Sequence, residues 1–282
     1  MQTMTQLDPL RSAVRALKAD GALALVPTMG ALHEGHLTLV RAAQSRAAHV
    51  AVSIFVNPRQ FGANEDLDRY PRQLGEDRAL LEAEGVSLLW APPEAVMYPG
   101  GYATTLSVSG VADGLCGAVR PGHFDEVATV VCKLFNQVRP DLALFGEKDW
   151  QQLTVIRRMA RDLDLTLPNV AAIIGVPTVR EADGLARSSR NAFLSPEQRR
   201  AAATLPRAMA AAITALRGGA GMSDALAALQ AELHSAGFSA VDYAELRDAE
   251  TLALLEETSP APARLLVAAR IGTTRLIDNM PL

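Results

Sequence analysis

Short apolar runs recur along the first 176 residues and alternate with longer segments whose apolar residues follow a helical spacing. The runs are Ala22–Val26, His49–Val56, Val86–Trp90, Leu142–Phe145 and Val170–Val176. Runs that are apolar throughout are typical of parallel strands buried on both faces. The alternation therefore predicts an α/β fold, a Rossmann-like parallel sheet with helices on both faces.

Helical spacing and the positions of glycine and proline give the remaining elements of this half. The predicted helices are Asp8–Ala19, a helix from Leu37 to about Ala48, Asp68–Glu84, Phe124–Val138 and a helix from Trp150. Prolines and glycines interrupt the alternation between Pro92 and Gly122, so this segment is predicted to be a flap with one short strand near Thr104–Val108.

The pattern changes at Pro177, where we place a domain boundary between residues 1–176 and residues 177–282. A serine followed by proline at Ser195 is a typical helix start. Two Ala-rich helices separated near Gly218–Gly221 follow, and then strands near Val241–Leu246, Arg264–Ala269 and Thr274–Ile277. The second domain is predicted to be a smaller α+β unit that closes over the site.

The polar segment PTMGALHEGH, residues 27–36, links the first predicted strand to a helix. A helix N-terminus in that position attracts phosphate, because its N–H groups and dipole face the crevice of the sheet. His33 and His36 are expected on one face of the helix, and Gly30 and Gly35 are expected to let a nucleotide approach the backbone. Solvated loop histidines are the alternative, since H-x-G-H alone is a weak pattern.

Polar clusters also follow other predicted strands. Gln60 lies after the second strand, and Lys148 after the fourth, where a lysine can neutralise phosphate. Asp149 with Gln152 also fits a capping box, which is compatible with a phosphate role for Lys148. Gln151 and Gln152 are expected either to point into the crevice or to face solvent. Arg187–Asn191 is suited to gripping a triphosphate or is an interdomain linker, and Arg120–His123 is an anion site or a charged loop.

The composition adds limits to these candidates. With 49% hydrophobic and 21% charged residues, the chain is typical of globular proteins. A net charge of −4 without a basic run argues against nucleic acid and anionic membranes as partners. No signal peptide or membrane span is visible, so a cytoplasmic location is expected. Cys116 and Cys132 are too few for a disulfide framework and are expected to be reduced and structural.

Five motifs together resemble the pantothenate synthetase (pantoate–β-alanine ligase) family. They are PTMGALHEGH, FVNPRQFG, RPGHF, GEKDWQQL and READGLARSSRN, in this order over nearly the whole chain. The resemblance implies the fold of Rossmann-like nucleotidyltransferases and a two-step reaction. Pantoate attacks the α-phosphorus of ATP to give pantoyl adenylate and pyrophosphate, and the amine of β-alanine then displaces AMP.

The resemblance also implies roles for individual residues. His36 is the implied catalytic histidine, acting with His33, Lys148 and Arg190, and Gln60 and Gln152 are the implied contacts of pantoate and β-alanine. The implied ATP site comprises Met29, Gly30, Ala31, Leu32, His33, Glu34, Gly35, His36, Gly146, Glu147, Lys148, Asp149, Val179, Arg187, Ser188, Ser189 and Arg190. Mg²⁺ is expected to accompany ATP, although the sequence shows no dedicated metal cage. A homodimer is the implied assembly.

Three residues depart from the pattern that we associate with the family. They are Trp150 in place of Tyr or Phe, Glu126 in place of a small glycine, and Arg187 in place of an apolar residue before Ser-Ser-Arg. Two other hypotheses stay open at this point. One is a different H-x-G-H nucleotidyltransferase with a phosphate-bearing substrate, and the other is a non-catalytic ATP-binding module.

Overall fold

A computed structural model of the chain describes residues 1–62, 67–258 and 260–282. The strands of its larger sheet are β1 (Gln2–Met4), β2 (Leu23–Thr28), β3 (His49–Ile54), β4 (Leu88–Trp90), β5 (Leu142–Gly146) and β6 (Ile173–Val176). These strands pair in the order β1-β4-β3-β2-β5-β6, and every pair is parallel. The predicted Rossmann-like sheet is therefore confirmed.

Helices cover both faces of this sheet. They are α1 (Leu7–Asp20), α2 (Glu34–Gln44), α3 (Leu74–Ala83), α4 (Glu94–Met97), α5 (Cys116–Val119), α6 (His123–Val138) and α7 (Trp150–Asp162). Alternate side chains of β2 belong to different cores, because successive side chains of a strand point to opposite faces. Leu23 and Leu25 pack with α1, α6 and α7, whereas Ala24 and Val26 pack with α2 and α3. Burying one such leucine contributes about 1.5–3 kcal/mol.

The order of the strands fixes the position of the crevice. The chain moves from β2 to β3 and β4 on one side of the sheet, and then crosses to β5 and β6 on the other side. The change of direction lies between β2 and β5, which are paired neighbours. In open parallel sheets ligands bind at the carboxyl ends of the strands that flank such a point. The histidine turn after β2 and the loop after β5 are thus on the same edge.

The second part of the chain forms a small antiparallel sheet that lies between its own helices and the first part. Strands β7 (Ala240–Asp248), β8 (Ala263–Ile271) and β9 (Thr274–Pro281) make an antiparallel sheet, and α8 (Pro196–Ala202), α9 (Thr204–Arg217) and α10 (Met222–Ser235) precede it. One face of this sheet, including Leu265 and Val267, packs on α9 and α10. The opposite face, including Tyr243 and Leu266, packs into the core that contains α6 and α7.

Some local predictions are confirmed and others are wrong. The predicted cap of α8 is present, since the Gln198 backbone N–H donates to Ser195 Oγ at 3.2 Å. The strand predicted at Thr104–Val108 is wrong: all of these residues are described and none is in a strand. The backbone N–H of Leu106 instead donates to the Thr129 side chain of α6 at 2.8 Å. The edge strand β1 was not predicted.

The capping box proposed for α7 is also wrong. A short 3-10 turn, Glu147–Asp149, runs directly into the helix, and the Asp149 side chain accepts no capping hydrogen bond there. Both cysteines are free thiols, with Cys116 buried and Cys132 half-buried against the core. Among the residues described, no helix combines the length and the apolar character needed to cross a membrane.

Candidate active site

The turn between β2 and α2 places the two motif histidines against each other. His33 is the residue before α2, and His36 lies in its first turn. Their ring centroids are 4.1 Å apart, and the planes are tilted by 36°. The prediction that both imidazoles lie on one face of the helix start is therefore confirmed.

Backbone groups of the same turn bind one nitrogen of each ring. The Gly35 N–H donates to His33 Nδ1 at 3.1 Å, and the His33 N–H donates to His36 Nδ1 at 3.3 Å. A ring nitrogen that accepts a hydrogen bond carries no proton, so the proton of each neutral ring is on Nε2. Each imidazole thus retains an Nε2–H group with which to donate to an oxygen.

Both rings are uncharged at neutral pH. Burial lowers the pKa of His36 to about 3, and the neighbouring His33 and Lys148 act in the same direction. Burial and the charges of Lys148 and Arg187 also lower the pKa of His33. The histidine pair therefore offers neutral hydrogen-bond donors, and positive charge at this edge of the sheet comes from lysine and arginine.

Gly35 leaves room for an imidazole of its own turn. A Cβ added at Gly35 would lie 2.9 Å from Cε1 and 3.0 Å from Nδ1 of His33. The His33 ring fills the space that a Cβ would occupy, while Gly35 still lines the smaller cavity, so the close approach of a nucleotide to this glycine stays a prediction. The glycine is needed for the histidine to fold back over the helix start.

A buried carboxylate on α3 holds the backbone of the histidine turn. Asp77 is 1% exposed and accepts hydrogen bonds from the N–H groups of Ala31 at 2.9 Å and Leu32 at 2.8 Å. Ala31 has a φ of 52° and Gly30 a φ of 82°, so the turn is left-handed at both residues. Asp77 was not among the residues predicted for the site. The available signal was its position four residues before Leu81 on the buried face of a helix, where an acid needs donors.

Lys148 lies on the turn that follows β5, as predicted for a residue at the carboxyl end of a strand. Its side chain is 19% exposed, and Nζ is 3.9 Å from Asp149 Oδ1. The backbone of this turn is held from the second sheet, since Asn279 Nδ2 donates to the carbonyls of Glu147 at 2.8 Å and Lys148 at 2.9 Å. The ammonium group is thus partly shielded and stands beside the histidine pair.

The loop Arg187–Arg190 faces the histidine turn from the second part of the chain. Arg187 forms an ion pair with Glu181 at 3.0 Å. The added cation that departs from the family pattern is therefore balanced by a neighbouring acid. Ser188 Oγ accepts from the Arg190 backbone N–H at 3.3 Å, which shapes the start of the 3-10 turn Ser189–Phe193.

Arg120 and His123 hold the backbone of Gln60. The Gln60 carbonyl accepts from Arg120 Nη2 at 3.2 Å and from His123 Nδ1 at 3.0 Å, while Arg120 Nη1 lies 2.9 Å from His123 Nε2. Both side chains therefore fix the turn that carries Gln60, and both also line the larger cavity, so an anion site at Arg120–His123 stays a prediction. Arg59 of the same turn binds Glu126 at 2.8 and 3.0 Å, which explains the glutamate that departs from the family pattern.

Of the two adjacent glutamines at the start of α7, the structure directs one into the protein. Gln151 is buried, donates to the carbonyls of Val111 at 3.0 Å and Gly114 at 2.8 Å, and accepts from the Cys116 N–H at 3.0 Å. Gln152 lines both cavities, whereas the buried Gln151 borders only the larger one. The third departure, Trp150, donates from Nε1 to the Ala249 carbonyl at 2.9 Å.

Two adjoining cavities unite the predicted residues. The smaller cavity, of about 230 Å³, lies at the histidine turn, and the larger, of about 900 Å³, lies between the two parts of the chain. Both are lined by Gln60, Lys148, Asp149, Gln152, Ser188 and Arg190. The smaller is also lined by Met29, His33, Gly35, His36, Gly146, Val179, Arg187 and Ser189. Gly30, Ala31, Leu32, Glu34 and Glu147 are in the same loops but line neither cavity.

The larger cavity has a wall that sequence analysis did not predict. Tyr243, Arg270 and Arg275 of the second sheet line it, together with Cys116. The Tyr243 hydroxyl lies 3.1 Å from Cys116 Sγ, and Arg275 Nε donates to Asp242 at 2.6 Å. The sequence gives no local signal for this wall, because the pairing of distant strands brings these residues to the crevice.

Comparison with known proteins gives a consistent result over the whole chain. The family model described as pantoate-beta-alanine ligase matches residues 2–281. The chain belongs to the pantoate–β-alanine ligase family. A protein of this family from Novosphingobium aromaticivorans, named pantothenate synthetase, is 68% identical over 281 residues, which are 99% of this chain and 98% of the relative.

Solved structures of the family share the fold of this chain. The pantothenate synthetase of Thermus thermophilus superposes with a TM-score of 0.91 at 48% identity, and 99% of each chain is covered. The pantoate-beta-alanine ligase of Francisella tularensis, solved in complex with beta-gamma ATP and beta-alanine, has a TM-score of 0.82 at 32% identity and covers 99% of this chain and 97% of its own. The parallel sheet and the small antiparallel sheet are therefore features of the pantoate–β-alanine ligase family.

Proposed function

We propose that the chain condenses pantoate with β-alanine at the two adjoining cavities, using ATP. The pantoate carboxylate attacks the α-phosphorus, and the bond from that phosphorus to the pyrophosphate oxygen breaks. The amine of β-alanine then attacks the acyl carbon of the pantoyl adenylate, loses a proton, and displaces AMP. Family membership along the whole chain supports this activity, as does the ATP and β-alanine complex of the Francisella tularensis relative.

The observation that carries the proposal is the meeting of three loops at one edge of the sheet. The histidine turn after β2, the Lys148 turn after β5 and the loop Arg187–Arg190 all line the smaller cavity. Donors and cations aimed at one small volume are what a transferring phosphoryl group needs, because charge develops on its oxygens during displacement.

The geometry supports a separate role for each loop. We propose that the Nε2–H groups of His33 and His36 donate to the α-phosphate, with His36 as the principal catalytic residue. Lys148 and Arg190 then hold the β- and γ-phosphates and stabilise the departing pyrophosphate. Met29, Gly35, Gly146, Asp149, Val179 and Arg187 to Ser189 line the smaller cavity and are proposed as further ATP contacts. Gly30, Ala31, Leu32, Glu34 and Glu147 line neither cavity, and we propose that they contribute through the backbone of the same two turns.

The wall of the smaller cavity fits a small acid with an apolar side. The cavity is lined by Gln60 and Gln152 and, from α6, by Val127, Val130, Val131 and Leu134. Pantoate carries two methyl groups together with hydroxyl groups and a carboxylate. We propose that its methyl groups pack on α6 while the two glutamine amides bind its polar groups, and that β-alanine approaches beside Gln60.

Mg²⁺ is proposed as the companion of ATP. Within the described part of the chain no three His, Cys, Asp or Glu side chains form a metal cluster. Asp149 lines both cavities beside Lys148, and a single carboxylate with phosphate oxygens and water fits the coordination that Mg²⁺ prefers. When bound, the ion would neutralise charge on the triphosphate.

The proposal also includes a cytoplasmic location and a homodimeric assembly. Sedimentation equilibrium would measure the assembly state.

Isotope exchange tests the adenylate mechanism. With pantoate present and β-alanine absent, labelled pyrophosphate should enter ATP, because the first half-reaction is complete and reversible without the amine. β-Alanine alone should support no exchange. Release of ADP and phosphate, or a strict need for β-alanine in the exchange, would overturn the mechanism.

The same assay separates the two alternatives. A different H-x-G-H nucleotidyltransferase would show exchange with phosphopantetheine in place of pantoate. A non-catalytic ATP-binding module would bind nucleotide and form no AMP with any combination of substrates.

A further inference from the structure

Two neighbouring residues of β9, Asp278 and Asn279, contact both of the loops to which the proposed function assigns the phosphates of ATP. They are 3% and 4% exposed. Because successive side chains of a strand point to opposite faces, two adjacent residues can reach two different loops. Leu276, on the Asp278 side, belongs to the core that the second sheet forms with α9 and α10, which we call the second core. Ile277, on the Asn279 side, packs against the core that contains α1, α6 and α7, which we call the first core.

The Asn279 amide is fully used in holding the Lys148 turn. Its Nδ2 group donates to the carbonyls of Glu147 and Lys148 at 2.8 and 2.9 Å, and its Oδ1 accepts from Arg264 Nη1. This pattern fixes the orientation of the amide, since a flipped group would place its oxygen against two carbonyl oxygens. Asn279 therefore has no donor left for a ligand and acts through the backbone that carries Lys148.

Arg264 of β8 also contacts the turn Glu147–Asp149. Its Nη2 group donates to Glu147 Oε2 at 3.1 Å, and its guanidinium lies 3.5 Å from the centroid of the Trp150 ring. The turn Glu147–Asp149 is thus held by side chains on both of its flanks. The tryptophan that departs from the family pattern takes part in this contact.

Asp278 holds the base of the other loop. Its carboxylate, with a fully buried side chain, binds Arg180 at 2.6 and 2.9 Å. Arg180 also donates to the Gly184 carbonyl at 3.0 Å and pairs through its backbone with Ala186. This hairpin leads directly into Arg187–Arg190, so the Asp278 carboxylate fixes where that loop begins.

We infer that Asp278 and Asn279 are positioning residues that set the Lys148 turn and the Arg187–Arg190 loop at the spacing that one triphosphate requires. The inference rests on the proposed function, which assigns phosphate to these loops. A misplacement of either loop weakens the grip on ATP and leaves the pantoate wall of α6 untouched. Replacement of Asn279 or Asp278 should therefore raise the KM for ATP and have little effect on the KM for pantoate.

A double-mutant cycle with Lys148 tests this role. Asn279→Ala should raise the KM for ATP about tenfold, which corresponds to the ordinary net strength of one or two lost hydrogen bonds, and should leave the KM for pantoate unchanged. Because Asn279 acts through Lys148, the effect of Asn279→Ala should depend on whether Lys148 is present. In a Lys148→Ala background, Asn279→Ala should raise the KM for ATP much less than it does in the wild-type background. Asp278→Asn and Arg190→Ala form the equivalent cycle for the loop Arg187–Arg190. In the Arg190→Ala background, Asp278→Asn should likewise have a much smaller effect on the KM for ATP.

Met280→Ala is the matched control. Met280 is the next residue of β9 and packs against the second core, so this variant loses stability without touching either loop. Its KM for ATP should be that of the wild type. Equal effects of Asn279→Ala and Met280→Ala, or effects of Asn279→Ala and Lys148→Ala that simply multiply, would overturn the inference. A Lys148→Ala variant with normal ATP use would instead contradict the proposed function.

Discussion

At the scale of single residues, the chemistry assigned to His36 depends on an uncharged imidazole. Its Nδ1 is bound by the backbone of its own turn, and burial lowers its pKa to about 3. A neutral donor suits the proposed role at the α-phosphate, because it adds directed hydrogen bonding without charge repulsion toward the nearby Lys148. The motif contributes geometry, and the loops after β5 and β6 contribute charge.

Replacement of His36 tests its role as a transition-state donor. His36→Ala should lower kcat by about 10²–10³, which is the usual loss when one preorganised donor is removed. His234→Ala, near the end of α10 in the second part of the chain, serves as the control and should retain the wild-type rate. A near-normal kcat for purified, folded His36→Ala would remove His36 from the catalytic group.

The lowered pKa of His36 also predicts a pH dependence of stability. The unfolded state binds a proton on this ring below its ordinary pKa of 6.5, whereas the folded state does so only near 3. The contribution of the neutral ring to the free energy of unfolding is therefore fully present above pH 6.5. It is lost progressively as the pH falls from 6.5 toward 3. Denaturant unfolding between pH 6.5 and 3 should show that His36→Gln loses less free energy of unfolding than the wild type. An equal dependence of the unfolding free energy on pH in the two proteins would contradict the lowered pKa of His36.

At the scale of elements, the start of α2 is organised around Gly35. Gly35→Ala places a methyl group 2.9 Å from the His33 ring and should displace that ring from its partner. We expect a fall in kcat/KM for ATP of about tenfold, within the effect of misplacing a catalytic group. Gly75→Ala is the control, because a Cβ at Gly75 of α3 meets no atom within 4 Å and should leave kcat/KM unchanged. A fully active Gly35→Ala would show that the stacked arrangement is dispensable.

The elements were predictable where burial alone determines them. Buried runs such as Leu142–Phe145 correctly predicted strands, because both faces of a parallel sheet are apolar. The wrong strand at Thr104–Val108 and the missed β1 share one cause. The conformation of each segment depends on a residue or strand far along the chain. Thr104–Val108 is held by the Thr129 hydroxyl, and β1 pairs with β4. Periodicity carries no information about such partners.

At the scale of the whole molecule, we propose that residues 177–282 form a domain that closes over residues 1–176. Ser188 and Arg190 follow the proposed boundary, and the histidine turn precedes it, so both must reach one triphosphate. The second sheet already packs against α6 and α7, which limits the expected movement to a small rotation. Small-angle scattering should show a slight compaction with a non-hydrolysable ATP analogue and pantoate. Identical profiles at saturating ligand would contradict closure.

The site was predictable to the extent that it follows strand ends. His33, His36, Lys148 and Gln60 were placed from local sequence, because the carboxyl ends of neighbouring parallel strands share one edge. The residues that hold these groups were not predictable in that way. Asn279 lies 131 residues from Lys148 along the chain, and its contact arises only when two separate sheets dock.

The second sheet has one face in each of the two main cores, and this has a consequence for unfolding. Leu265 of β8 packs on the helices of the second core, while its neighbour Leu266 packs into the first. Separation of the two parts of the chain would expose the Leu266 face of the sheet to water. Loss of the sheet would remove one wall from each core at the same time. We therefore expect the two cores to be thermodynamically coupled and to unfold together in one cooperative transition.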